Sequence, residues 1–104
     1  PASEEVSSVF NQLQAIAGVN GLTVQVFNVQ PLATKPSNQS LVQPVGTLRL
    51  SLRLAGNYSA FKNFIKGLET NIRAMDVVSI KIESGGRGDY FAYTVVADTY
   101  YQAQ

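Results

Sequence analysis

The strongest constraint in this chain is a two-residue alternation that stops abruptly and hands over to a helical one. Leu48, Leu50, Leu52 and Leu54 alternate with Thr47, Arg49, Ser51 and Arg53, placing four leucines on one face of a strand. Gly56 ends the run and Asn57 is the N-cap type of residue. Phe61, Phe64, Ile65, Leu68 and Ile72 then recur at helical spacing, and Glu69 sits four residues before Arg73 in the favourable order. A strand and a helix that each carry one apolar face bury both by lying against each other.

The remaining segments repeat that logic. Ser3 is predicted as an N-cap, with Glu4 and Glu5 in the first turn, where carboxylates meet the positive end of the helix dipole. Val6, Val9, Phe10, Leu13 and Ile16 make one helical face, and Gly18 and Gly21 end the helix. Leu22, Val24 and Val26 mark the buried face of a first strand reaching about Val29, with Phe27 and Val29 on its exposed face. Residues 30–46, with Pro31, Pro36 and Pro44, read as a long polar connection. Val78, Ile80 and Ile82 give a third strand, "SGGRGD" a hairpin turn, and Tyr90 to Tyr101 a final aromatic strand.

The order is αββαββ in a single domain, two halves at about 3–54 and 57–101. Two helices on one face of a four-stranded antiparallel sheet satisfy it. This predicts an α+β, ferredoxin-like sandwich, circularly permuted so that it begins at a helix.

Composition bounds the chemistry. The 104 residues include no Cys, His or Trp, so disulfides, the usual transition-metal ligands and a near-neutral proton shuttle are all missing. The carboxylates Glu4, Glu5, Glu69, Asp76, Glu83, Asp89 and Asp98 fall at predicted caps, turns and wet faces, with no pair placed for acid–base work. We expect no enzyme, no metal and no cofactor. Net charge is +1 without a basic run, which argues against nucleic acid as a partner. Arg49 and Arg53 are expected to pair with Glu83 or Asp98 across the sheet.

Three motif matches have simpler explanations. Arg87-Gly88-Asp89 matches an adhesion tripeptide, yet turn chemistry accounts for it. "RGDYFAY" is similar to the base-stacking strand of RNA-recognition domains, but Asp89 stands where an aromatic is wanted and the element order differs. Tyr90, Phe91 and Tyr93 are expected to pack across strands instead. Asn38 and Asn57 head glycosylation sequons by pattern only.

The segment Leu48 to Ile82, with "GNYSAFKNFIKGLE" and "IRAMDVVSIKI", resembles the periplasmic domain of the PilO family of type IV pilus inner-membrane proteins. Gly56, Tyr58, Phe61, Phe64, Leu68 and Arg73 match the family's pattern, and "LQAIAGVNGLTVQVFN" extends the likeness over nearly the whole chain. PilN and the type II secretion component GspM share similar folds and are less well matched. The resemblance implies a structural protein of the bacterial inner membrane with this domain in the periplasm. A short cytoplasmic start, one transmembrane helix and a coiled coil would precede this segment, which opens on Pro1 rather than Met and reads as an excised fragment or mature domain. Implied partners are a second copy or a PilN-like protein, together with a PilP-like lipoprotein. Phe27, Val29, Tyr100 and Tyr101 are the expected interface. The alternatives are the equivalent type II secretion component, or a nucleic-acid or small-ligand module that uses Tyr93.

Overall fold

The computed structural model describes residues 2–35, 45–72 and 74–102. Helix α1 (Ala2–Val19) is followed by strands β1 (Thr23–Lys35) and β2 (Val45–Asn57), helix α2 (Tyr58–Asn71), and strands β3 (Met75–Arg87) and β4 (Tyr90–Gln102). All three pairings are antiparallel and the sheet order is β1-β2-β4-β3. Moving the first strand of a βαββαβ chain to its end yields this αββαββ order, as the sequence pattern predicts.

The core is the helix-facing side of the sheet. Leu48, Leu50, Leu52 and Leu54 are at most 1% exposed, and Tyr93 and Val95 on neighbouring β4 are fully covered. Each buried leucine contributes about 1.5–3 kcal/mol of transfer free energy, so β2 is the centre of stability. From above, α1 contributes Val9, Leu13, Ile16 and Ala17, and α2 contributes Ala60, Phe61, Phe64 and Leu68. The helices touch where Gly67 lacks a side chain. A Cβ there would stand 2.6 Å from the Ile16 Cγ2 methyl.

Local chemistry sets the boundaries. The Asn57 Oδ1 accepts from the Ala60 N–H at 2.7 Å, capping α2 as its sequence predicts. Helix α1 ends in a Schellman turn, with Leu22 N–H on the Ala17 carbonyl and Gly21 N–H on the Gly18 carbonyl. Gly21 occupies the left-handed position, φ 80°. At the other end, α1 already includes Ser3, so that residue is helical and not a cap.

Two strand expectations need correction. First, β1 does not stop near Val29 but continues to Lys35, and β2 begins at Val45, so the polar connection is shorter than residues 30–46. Pro31 is tolerated inside β1 because β1 is an edge strand. Pro36, Asn38 and Pro44 lie outside the described residues. Second, a bulge between Val24 and Val26 inserts one unpaired residue and reverses the alternation. Phe27 and Val29 therefore pair with Leu52 and Leu50 and turn toward the helices, while Val26 is 43% exposed. They are not on the open face.

Candidate interaction surface

The open face of the sheet is polar and internally paired. Arg49 and Asp98 stand directly opposite each other on β2 and β4. Nε donates to Oδ1 at 2.8 Å and Nη2 to Oδ2 at 2.9 Å, a two-pronged contact. The bond from Arg49 holds the Asp98 carboxyl below its ordinary value, against the opposing effect of burial. Arg53 approaches Glu83 more loosely, at 3.8 Å, with both side chains near half exposure. Tyr100 donates its hydroxyl to Asp76 Oδ2 at 2.9 Å, and that hydrogen bond raises the phenol's pKa. Among the described residues no three His, Cys, Asp or Glu gather as a metal site requires. No described helix is long and apolar enough to cross a membrane.

The four residues expected at an interface do not form one surface. Phe27 and Val29 pack against the core from β1, and the Phe27 ring lies 4.8 Å from that of Phe10. Tyr100 and Tyr101 are consecutive on β4 and so point to opposite faces. Tyr100 lies on the open face opposite Thr47, whereas the Tyr101 ring covers Gly46 and packs against the core. A Cβ at Gly46 would collide with that ring.

The six residues of the family pattern divide by role. Phe61, Phe64 and Leu68 are buried under α2. Gly56 gives room to Leu22, whose Cδ2 would lie 2.6 Å from a Cβ, and its carbonyl accepts the Tyr93 hydroxyl at 3.2 Å. Tyr58 is 45% exposed with the Lys62 ammonium over its ring, 5.1 Å from the centroid. Arg73 lies outside the described residues. Tyr93, the aromatic a base-binding module would use, is fully buried, so no base can stack on it.

Exposed apolar residues cluster elsewhere, at β3, where Val77, Val78, Ile80 and Ile82 are all exposed. Ile80 and Ile82 pair with the buried Val95 and Tyr93 and therefore share the helix-facing side, yet they are 43% and 46% exposed. The alternation of β3 marks them as core. They escape burial because β3 is an edge strand beyond the reach of α2. Between strand and helix runs a groove of about 320 Å³ lined by Tyr58, Phe61, Ile65, Ile80 and Ile82, with Lys62 and Lys66 on its helical rim. The signal was available: the permuted topology puts the third strand at the edge, where an alternating apolar row is only half covered.

No protein-family model matches the sequence, and no curated protein matches it. Solved structures share its fold. The type 4 fimbrial biogenesis protein PilO from Pseudomonas aeruginosa superposes with a TM-score of 0.75 at 16% identity, over 99% of this chain and 73% of its own. The core region of PilO from the type IV pilus system of Pseudomonas aeruginosa gives 0.60 at 18% identity, over 88% and 92%. A protein from Akkermansia muciniphila gives 0.66 at 17% identity, over 93% of this chain and 51% of its own, so this chain spans about half that protein. At such identities the likeness is one of fold. In fold, the chain is a PilO-like domain.

Proposed function

We propose that this domain is a structural, non-catalytic part of a type IV pilus assembly complex that works by associating with another folded domain. The observation that carries the reading is agreement of fold along 99% of the chain with a type 4 fimbrial biogenesis protein. The surface chemistry supports it. Polar groups on the open face are paired with one another, and the exposed apolar residues sit at a sheet edge, where protein partners dock. In this reading the domain lies in the periplasm and belongs to the inner-membrane platform. Its partner is a second copy or a PilN-like domain, with a PilP-like lipoprotein completing an alignment subcomplex.

Genetics in the source organism tests the reading. Deleting the gene should abolish surface pili, and the full-length wild type should restore them. An Ile80→Asp, Ile82→Asp variant that still folds and is still exported should not. Normal pili after deletion would refute the proposal.

A further inference from the structure

The two edges of the sheet are unlike. Edge strand β1 carries Pro31 and the bulge after Val24, both of which discourage further pairing. Edge strand β3 has irregularities between Val77 and Ser79 and between Ser84 and Arg87, and between them Ser79 to Ser84 pairs residue by residue with β4. That stretch, Ser-Ile-Lys-Ile-Glu-Ser, contains neither Pro nor Gly. Its other side faces no strand of the described sheet.

We propose that β3 pairs antiparallel with β3 of a second copy about a two-fold axis at Ile82, joining two sheets into one of eight strands. This inference rests on the association reading above and names the partner and register. A two-fold axis normal to the sheet keeps each side chain on its own face, so only residues of equal parity can stand opposite. Four registers centre on the inner residues of the run. One centred on Glu83 sets two carboxylates against each other. One centred on Lys81 sets two ammonium groups against each other. One centred on Ile80 sets Lys81 against Ser79 and leaves Glu83 without a charge opposite. The register centred on Ile82 sets Lys81 against the second copy's Glu83, and Glu83 against its Lys81.

Charge complementarity therefore selects the register centred on Ile82. Lys81 and Glu83 pair with Thr94 and Ala92 of β4 and project from the open face, where two reciprocal ion pairs can form. On the other face the half-exposed Ile82 meets its own symmetry mate, and Ile80 stands against Ser84. Glu83 is available because its approach to Arg53 is only a loose 3.8 Å.

Charge reversal, read by sedimentation equilibrium of this chain, tests the register. Wild type should form a dimer at high protein concentration. Lys81→Glu and Glu83→Lys should each weaken it about tenfold, since each replaces two attractive pairs with two repulsive ones. An equimolar mixture of the two variants should associate as a heterodimer, and the double reversal should restore the homodimer. The chain has no cysteine, so Ile82→Cys should form an intermolecular disulfide on oxidation, opposed Cα atoms being about 5 Å apart. Val26→Cys, on the other edge, should not. If both single reversals dimerise like wild type, this register is wrong while association by another surface stands. A strict monomer at every concentration overturns the pairing, and the pilus genetics then decides the association reading separately.

Discussion

Phe61 lies flat on Tyr93, ring centroids 4.0 Å apart and planes within 4°. The stack fastens α2 to β4, and the Tyr93 hydroxyl reaches on to the Gly56 carbonyl at the end of β2. Three elements meet in one contact.

Removing the stack should be costly. Phe61→Ala is expected to destabilise by about 3–5 kcal/mol in urea unfolding, through lost burial and the cavity left behind. Tyr93→Phe keeps the ring and loses only the hydroxyl, for about 1 kcal/mol. Burial raises the Tyr93 pKa. Its contribution is thus intact below the unfolded value, near 10, and is lost as pH rises from there through the folded value. Alkaline unfolding should occur at higher pH in Tyr93→Phe than its neutral-pH stability alone predicts.

The Arg49–Asp98 pair should leave an acid signature of the opposite sign. The Asp98 pKa is lowered, chiefly by the hydrogen bond from Arg49. Its contribution is complete above the ordinary carboxylate value, near 4, and fades as pH falls through the folded value. Urea midpoints measured against pH should drop in that window for wild type and drop less for Arg49→Met. An unchanged acid slope in that variant would show that the pair is not coupled to folding.

Gly67→Ala should destabilise, although alanine is the better helix former by about 1 kcal/mol. The added methyl meets the Ile16 Cγ2, a branch fixed next to the backbone, so the helices must separate. A net loss of about 1 kcal/mol is expected, since overpacking typically costs about 1–3. Ile16→Leu removes that methyl, so the double variant should recover part of the loss. Simple additivity would refute the contact.

Asn57→Ala should cost about 1 kcal/mol by leaving the Ala60 N–H without its cap, and Asn57→Asp should cost much less. Thermal unfolding of the two variants side by side distinguishes capping from a general effect of substitution.

What was legible in the sequence is what depends on spacing along one segment. The leucines of β2, the face of α2, the Asn57 cap and the glycine turn after α1 were all visible there, and with them the two-helix, four-strand order. What was not legible depends on a single residue count or on position in the sheet. Nothing in "TVQVFNV" announces a bulge, yet one unpaired residue carries Phe27 and Val29 from the open face to the packed one. Phe27→Ala should therefore lower stability and leave association unchanged. Ile80 and Ile82 have the pattern of core residues, and only their edge position exposes them. The candidate site was missed because it uses the same residue types as the interior.

The place of β4 has a consequence for how the chain is made. The last strand in sequence is an inner strand of the sheet, flanked by β2 and β3. As the polypeptide emerges, β1 and β2 can zip into a hairpin, but β3 has no neighbour until Tyr90 to Gln102 has appeared. A premature stop before Tyr90 would cost two ladders, not one, and expose the leucines of β2 along one side. During synthesis, half of the sheet waits for its final strand.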